Sequence, residues 1–246
     1  MFKSSNPVLS RMDNTENTVV LEGKPMTVSG TIGKVFALLM IASVSGAAVI
    51  YEAMMGYADK VLVILGAALI VGLITGLVTA FVPKLAKFLS PVYAFAEGAL
   101  LAGISLIAET QFPGIALQAV SATFVAFFVV LFLYKTGAVR ATEKFRSTIM
   151  SALFTILIVY LVEFIGSFFN FHIPFLNGSG PISILVSCII VVVASLSLIL
   201  DFDFIEQGAK NLLPKDYEWY GAFGLLVTLV WLYIEILNLL AKLRND

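Results

Sequence analysis

The chain has 246 residues, of which 60% are hydrophobic and 13% charged, and its mean hydropathy is +1.00. A soluble domain of this length could not bury so much apolar surface, so the composition predicts an integral membrane protein. The formal net charge of -1 excludes the broad basic surface of a nucleic-acid-binding protein. The single cysteine, Cys188, excludes a disulfide within the chain, and we expect it to be a small buried apolar side chain.

The first 30 residues contain Lys, Arg, Ser and Asn interspersed among short apolar groups. They contain no apolar stretch of the length that a secretory signal peptide requires. We therefore predict that residues 1–30 form a polar cytoplasmic arm and that residues 31–246 form a transmembrane domain.

Seven apolar segments follow the arm, each close to the ~20 residues that an α-helix needs to cross a bilayer. They predict an all-α bundle of seven transmembrane helices. The segments lie at about 34–52, 61–82, 92–108, 115–135, 146–169, 182–204 and 219–241. Every proline falls between these segments or at an end of one, so we expect no span to be interrupted. In the second segment, Gly72 and Gly76 have the spacing of small residues that lets two helix backbones approach closely.

The positive charges are distributed unevenly between the two sides of the predicted bundle. Twelve of the 15 Lys and Arg residues fall on the side of the N-terminus, and only Lys60, Lys242 and Arg244 fall on the other. Because cytoplasmic loops carry the excess of Lys and Arg, we predict a cytoplasmic N-terminus and an external C-terminus.

Acidic residues within the spans are candidates for function, because a charge at the centre of a span costs about 2.5–3.5 kcal/mol. Glu235 is the strongest candidate, since long apolar stretches flank it on both sides. Asn238 follows three residues later on the same helix face and is predicted to support it. Glu97 in the third segment and Glu163 in the fifth are predicted to be further polar groups of the bundle interior.

Asp201 lies at the cytoplasmic end of the sixth segment and is the predicted partner of Glu235. Two carboxyl groups in a dry place share a proton, which makes the pair a pH sensor, and both ionised groups repel each other and offer oxygen ligands to Ca²⁺. We therefore predict that Asp201 and Glu235 form the sensor, the gate and a Ca²⁺ site. Asp203 and Glu206 are expected to be a solvated helix end, and His172 a loop side chain.

Two short motifs resemble the Bax inhibitor / YccA-like family, also called the transmembrane Bax inhibitor motif family. The stretch LYIEILNLL (232–240) resembles the pattern Leu-Tyr-Leu-Asp-Phe-Ile-Asn-Leu of that family's closing helix. The stretch LDFDFI (200–205) resembles its sixth-helix motif, and the surrounding sequence is similar to a bacterial branch.

The resemblance implies a pH-sensitive leak channel for cations, chiefly Ca²⁺, in the inner membrane of a bacterium, with Asp201 and Glu235 as the gating acids. The sequence contains no phosphate-binding glycine loop, nucleophile elbow or His cluster with metal-ligand spacing, so we expect no enzymatic activity and no cofactor, with Ca²⁺ as the permeant or bound ion. The family's latch arginine, a cation on the second helix, has no counterpart in residues 61–82, which leaves Lys84 and Lys87 as candidate latch cations.

Two further functions remain open. The arm and the resemblance also suit an interaction protein that modulates a membrane protease or a stress response, and the buried acids also suit a proton-coupled transporter.

The depths of the two acids bear on the pairing. In straight, centred spans, Asp201 and Glu235 would be separated by roughly 15–20 Å along the membrane normal, at 1.5 Å per residue. The pair forms only if the sixth helix continues through FIEQGAK (204–210), or if one helix shifts or tilts. Otherwise Glu97 or Glu163 is the alternative partner.

Overall fold

A computed structural model describes residues 25–169 and 171–245 of the chain. Its described residues form seven long helices, which we number in chain order. They are α1 (Val28–Met54), α2 (Ala58–Phe81), α3 (Ala86–Gln111), α4 (Ile115–Lys135), α5 (Glu143–Ser167), α6 (Pro181–Lys210) and α7 (Tyr217–Arg244). A short helix, Pro174–Asn177, precedes α6. The first 24 residues of the predicted arm lie outside the described residues.

All seven helices are long and apolar enough to span a membrane, which confirms the predicted fold class. Six of them extend beyond the predicted segments at one or both ends, and α4 is the exception. The sixth helix continues six residues past residue 204, to Lys210. The third begins at Ala86, so Pro91 lies inside this helix, and the expectation that every proline lies outside the spans or at their ends is wrong for Pro91. The helix nevertheless continues unbroken through Pro91 to Gln111. Pro91 removes one backbone donor, a loss that membrane helices tolerate when neighbouring groups satisfy the freed carbonyl.

The last helix, α7, is the centre of the bundle. It packs against α1, α3, α4 and α6, and more than half of its most apolar stretch is buried. Small residues on α7 permit this approach: a Cβ added to Gly221 would stand 3.1 Å from Ile205 of α6 and 3.4 Å from Thr31 of α1. The position of each buried side chain on α7 is therefore set by several neighbours at once.

Glycines also bring α3 close to the two helices beside it. A Cβ added to Gly46 of α1 would stand 3.1 Å from the carbonyl oxygen of Gly98. A Cβ on Gly76 of α2 would stand 3.1 Å from the Tyr93 ring, and one on Gly72 would stand 3.5 Å from Glu97. The predicted packing role of Gly72 and Gly76 is thus confirmed.

The bundle has two opposite ends. We call them the Val28 end, where α1 begins, and the Arg244 end, where α7 ends. At the Val28 end, Pro25 forms an isolated bridge with Pro214 in the loop between α6 and α7. At the opposite end, Arg244 donates a 3.0 Å hydrogen bond to the carbonyl of Pro113, in the loop between α3 and α4. These contacts fix both ends of α7.

The outer faces of the helices carry large apolar side chains, as expected of surfaces that contact hydrocarbon. The fifth helix buries least of its spanning stretch. Cys188 on α6 is exposed, so the prediction of a buried cysteine is wrong. The buried face of α6 here carries Ser183, Ser187 and Ile190, and Cys188 is rotated away from it.

Replacement of Gly98 by Ala should lower the thermal stability of the protein in detergent. The added Cβ would overlap the backbone of Ala42 in α1, and overpacking of this kind costs about 1–3 kcal/mol. The melting temperature can be followed by intrinsic fluorescence.

Gly66→Ala is the matched control, because no atom lies within 4 Å of a Cβ at that position. It should leave the melting temperature unchanged or raise it slightly, since Ala favours the helix. Equal melting temperatures for the two variants would contradict the close packing of α1 and α3.

Candidate functional site

Asp201 lies in the interface between α6 and α7. Its Oδ2 atom is buried and has no hydrogen-bond partner among the described residues. Its Oδ1 atom is 3.8 Å from the place where a Cβ on Gly224 would stand, and Thr228, one turn further along α7, offers its hydroxyl. Because Gly224 has no side chain, the carboxyl group fits directly against the backbone of α7.

The two acids that follow Asp201 both form ion pairs. Asp203 keeps 13% of its side chain exposed and accepts a 2.8 Å hydrogen bond from Arg146 in the first turn of α5. Glu206 accepts hydrogen bonds of 2.5 Å from Lys210 and from the Tyr134 hydroxyl of α4. The expectation of a solvated helix end is therefore wrong for Asp203, which a neighbouring helix covers, whereas the Glu206 side chain keeps 40% of its surface exposed.

Glu235 is buried within the bundle at 3% exposure. One of its oxygens accepts hydrogen bonds from the Tyr160 hydroxyl of α5, at 2.6 Å, and from Trp231 Nε1, at 2.9 Å. The carboxyl group lines a cavity of about 520 Å³ between α5, α6 and α7. Asn238, the predicted supporting amide, is exposed and lines the same cavity.

The structure does not bring Asp201 and Glu235 together. Asp201 contacts α7 at Gly224, and Glu235 lies eleven residues later on that helix, which corresponds to roughly 16 Å at 1.5 Å per residue. The sixth helix does continue through 204–210, but it runs alongside α7 and brings Asp201 no nearer to Glu235. The predicted carboxyl pair is therefore wrong.

The Ca²⁺ site predicted from that pair is wrong for the same reason, since the two acids cannot ligate one ion. Among the residues that the structure describes, no group of three or more His, Cys, Asp or Glu converges on one point.

The two alternative acids lie in different places. Glu97 packs against Gly72 in the interface of α2 and α3. Glu163 lies near the end of α5, where its oxygens bond to His172 Nδ1 at 3.0 Å and to the backbone N–H of Ile173 at 2.7 Å. Of the two, only Glu163 lines the same cavity as Glu235.

The candidate latch cations Lys84 and Lys87 are both exposed, and neither forms an ion pair with a described residue. Their assignment as latch cations stays a prediction. Lys84 lies in the short 3-10 turn Pro83–Leu85 that precedes α3, and Lys87 lies in the first turn of α3.

A buried ion pair instead joins α1 to the start of α7. Lys34 donates to Glu218, whose carboxylate also accepts 2.9 Å hydrogen bonds from the backbone N–H and the hydroxyl of Thr27. Glu218 is 1% exposed, and a Cβ added to Gly30 would overlap its carboxylate. Sequence reasoning missed Glu218 because it lies in the first turn of a helix, where an acid is ordinarily solvated.

A family model described as Bax inhibitor 1 like matches residues 6–245. The chain belongs to the Bax inhibitor 1 like family. No curated protein and no solved structure matches it. In this member of the Bax inhibitor 1 like family, the two predicted gating acids thus occupy separate sites. Asp201 lies in the α6–α7 interface, and Glu235 lies in the cavity nearer the Arg244 end.

Lys34→Met should destabilise the protein by about 3 kcal/mol, because it leaves the carboxylate of Glu218 buried without its ammonium partner. The free energy of unfolding in detergent measures this loss. The double variant Lys34→Met/Glu218→Gln should recover part of it, since neither charge remains.

Lys60→Met is the matched control, because Lys60 is 62% exposed and lies 3.8 Å from Glu52. An exposed pair contributes about 1 kcal/mol or less. Equal losses for the two Lys variants would contradict the importance of burial.

Proposed function

We propose that this protein is a pH-sensitive cation leak, chiefly for Ca²⁺, in which Asp201 and Glu235 act at two separate depths of the bundle. The observation that carries the proposal is the buried Oδ2 atom of Asp201 between α6 and α7, which has no hydrogen-bond partner among the described residues. The bacterial inner membrane is part of the proposal, as the sequence resemblance implies.

Asp201 is suited to be the closing point of the leak, the place where contact between α6 and α7 blocks the passage of cations. An ionised carboxylate with only one of its two oxygens hydrogen-bonded is disfavoured in a dry interface, so the ionisation of Asp201 requires a cation or water beside its Oδ2 atom. A neutral Asp201 lets α6 and α7 remain in contact. Because a higher pH ionises more of a carboxyl group, cation passage should increase as the pH rises.

Glu235 is suited to mark the entrance of the leak, where a cation first binds. Its carboxyl group lines a cavity of about 520 Å³ together with Asn238 and Glu163. Carboxylate and amide oxygens are the ligands that hard cations prefer. The hydrogen bonds from Tyr160 and Trp231 hold the Glu235 side chain in place, so one oxygen stays available to the cavity.

The test is Ca²⁺ flux into proteoliposomes between pH 6 and pH 8. Asp201→Asn should lower the flux at least about tenfold, or ~1.4 kcal/mol of lost ion stabilisation, and should remove its pH dependence. Glu235→Gln should lower the flux but leave the pH dependence in place, because the closing point is intact.

The matched controls are Asp59→Asn and Glu143→Gln, which alter exposed acids in the first turns of α2 and α5. Both should conduct like the unaltered protein. Normal, pH-dependent flux in Asp201→Asn would rule out the proposed closing point, and absence of flux in the unaltered protein would rule out the leak.

A further inference from the structure

The cavity beside Glu235 also contains a positive charge. Lys242 lies seven residues after Glu235 on α7, on the same helix face, and lines the same cavity. Its ammonium group donates hydrogen bonds to the carbonyl oxygen of Leu176, at 2.6 Å, and to the hydroxyl of Ser187, at 2.8 Å. Leu176 belongs to the short helix Pro174–Asn177, and Ser187 is buried on α6.

No carboxylate neutralises this ammonium by direct contact. In the part of the chain that the structure describes, no acid lies within ion-pair distance of Lys242. Glu235 is held by Tyr160 and Trp231, while Lys242 is held by two neutral oxygens. The cavity thus contains an acid and a base that separate hydrogen bonds keep apart.

The two oxygens that hold Lys242 are of the kind that ligate hard cations, a backbone carbonyl and a hydroxyl. The ammonium therefore occupies the place that a metal cation would take near Glu235. A fixed positive charge repels an entering ion in proportion to that ion's charge, so it disfavours a divalent ion more than a monovalent one.

We propose that Lys242 is a tethered cation that determines which ions bind in the Glu235 cavity, weakening divalent relative to monovalent cations. The inference deepens the proposed function, and it rests on that function in treating the cavity as the entrance of the leak. A positive charge beside Glu235 would limit the Ca²⁺ flux of the proposed leak.

Fluxes of Ca²⁺ and K⁺ into proteoliposomes test the selectivity. Lys242→Met removes the charge and keeps the apolar stem. It should raise the Ca²⁺ flux about fivefold or more and the K⁺ flux by less than about twofold. Lys242→Arg keeps the charge and should conduct like the unaltered protein.

Lys60→Met is the control for a cation at the same end of the bundle, and it should change neither flux. A purely structural role of Lys242, as a link between the short helix, α6 and α7, predicts that Lys242→Met alters both fluxes by the same factor. An unchanged ratio of Ca²⁺ to K⁺ flux would therefore overturn the inference.

A binding measurement separates this inference from the proposed leak. Tb³⁺ is a luminescent substitute for Ca²⁺, and Trp231 lines the cavity and can sensitise its emission. Trp219, the other tryptophan, lies twelve residues earlier on α7, roughly 18 Å away along the helix.

Lys242→Met should tighten Tb³⁺ binding to the purified full chain about tenfold. Trp231→Phe should remove the emission, and Glu235→Gln should weaken binding.

Tighter Tb³⁺ binding in Lys242→Met without ion flux in any variant would support the tethered cation and refute the leak. Equal Tb³⁺ affinity in Lys242→Met and the unaltered protein would refute the tethered cation, whatever the flux.

Discussion

The structure depends on the burial of α7 among four other helices. A helix surrounded in this way can keep a charged side chain only where a neighbouring element supplies its partners, because lone charges are costly in hydrocarbon. Each end of α7 meets this requirement differently. Glu218 is paired with Lys34 of α1, whereas Glu235 accepts hydrogen bonds from Tyr160 and Trp231. The Lys34–Glu218 contact neutralises a buried charge, whereas the hydrogen bonds to Glu235 leave its carboxyl group facing a cavity.

Asp201 differs from both of these acids, since one of its oxygens is buried without a partner in the described part of the chain. It is also the acid that touches α7 at a glycine, where the helix offers no side chain. The interface of α6 and α7 therefore contains a polar group whose stability depends on its protonation and on nearby ions. This property connects the packing of the bundle to the proposed leak.

The separation of the acids changes how a pH response can arise. A carboxyl pair responds through a shared proton, whereas acids about 16 Å apart respond independently and can have different roles. In the proposed function, Glu235 attracts the cation and Asp201 controls its passage. Lys242 then adjusts the strength of that attraction, since it brings a positive charge to the same cavity.

The sequence by itself determined the membrane class, the seven spans, the close packing at Gly72 and Gly76, and the burial of Glu235. These features follow from local hydropathy and helix periodicity, which act within a single segment. Only the tertiary structure decided the partners of each charge. The separation of Asp201 from Glu235, the pairing of Lys34 with Glu218 and the position of Lys242 all depend on how one helix lies beside another. Relative depth between helices is set by side-chain packing across the bundle, and no single segment encodes it.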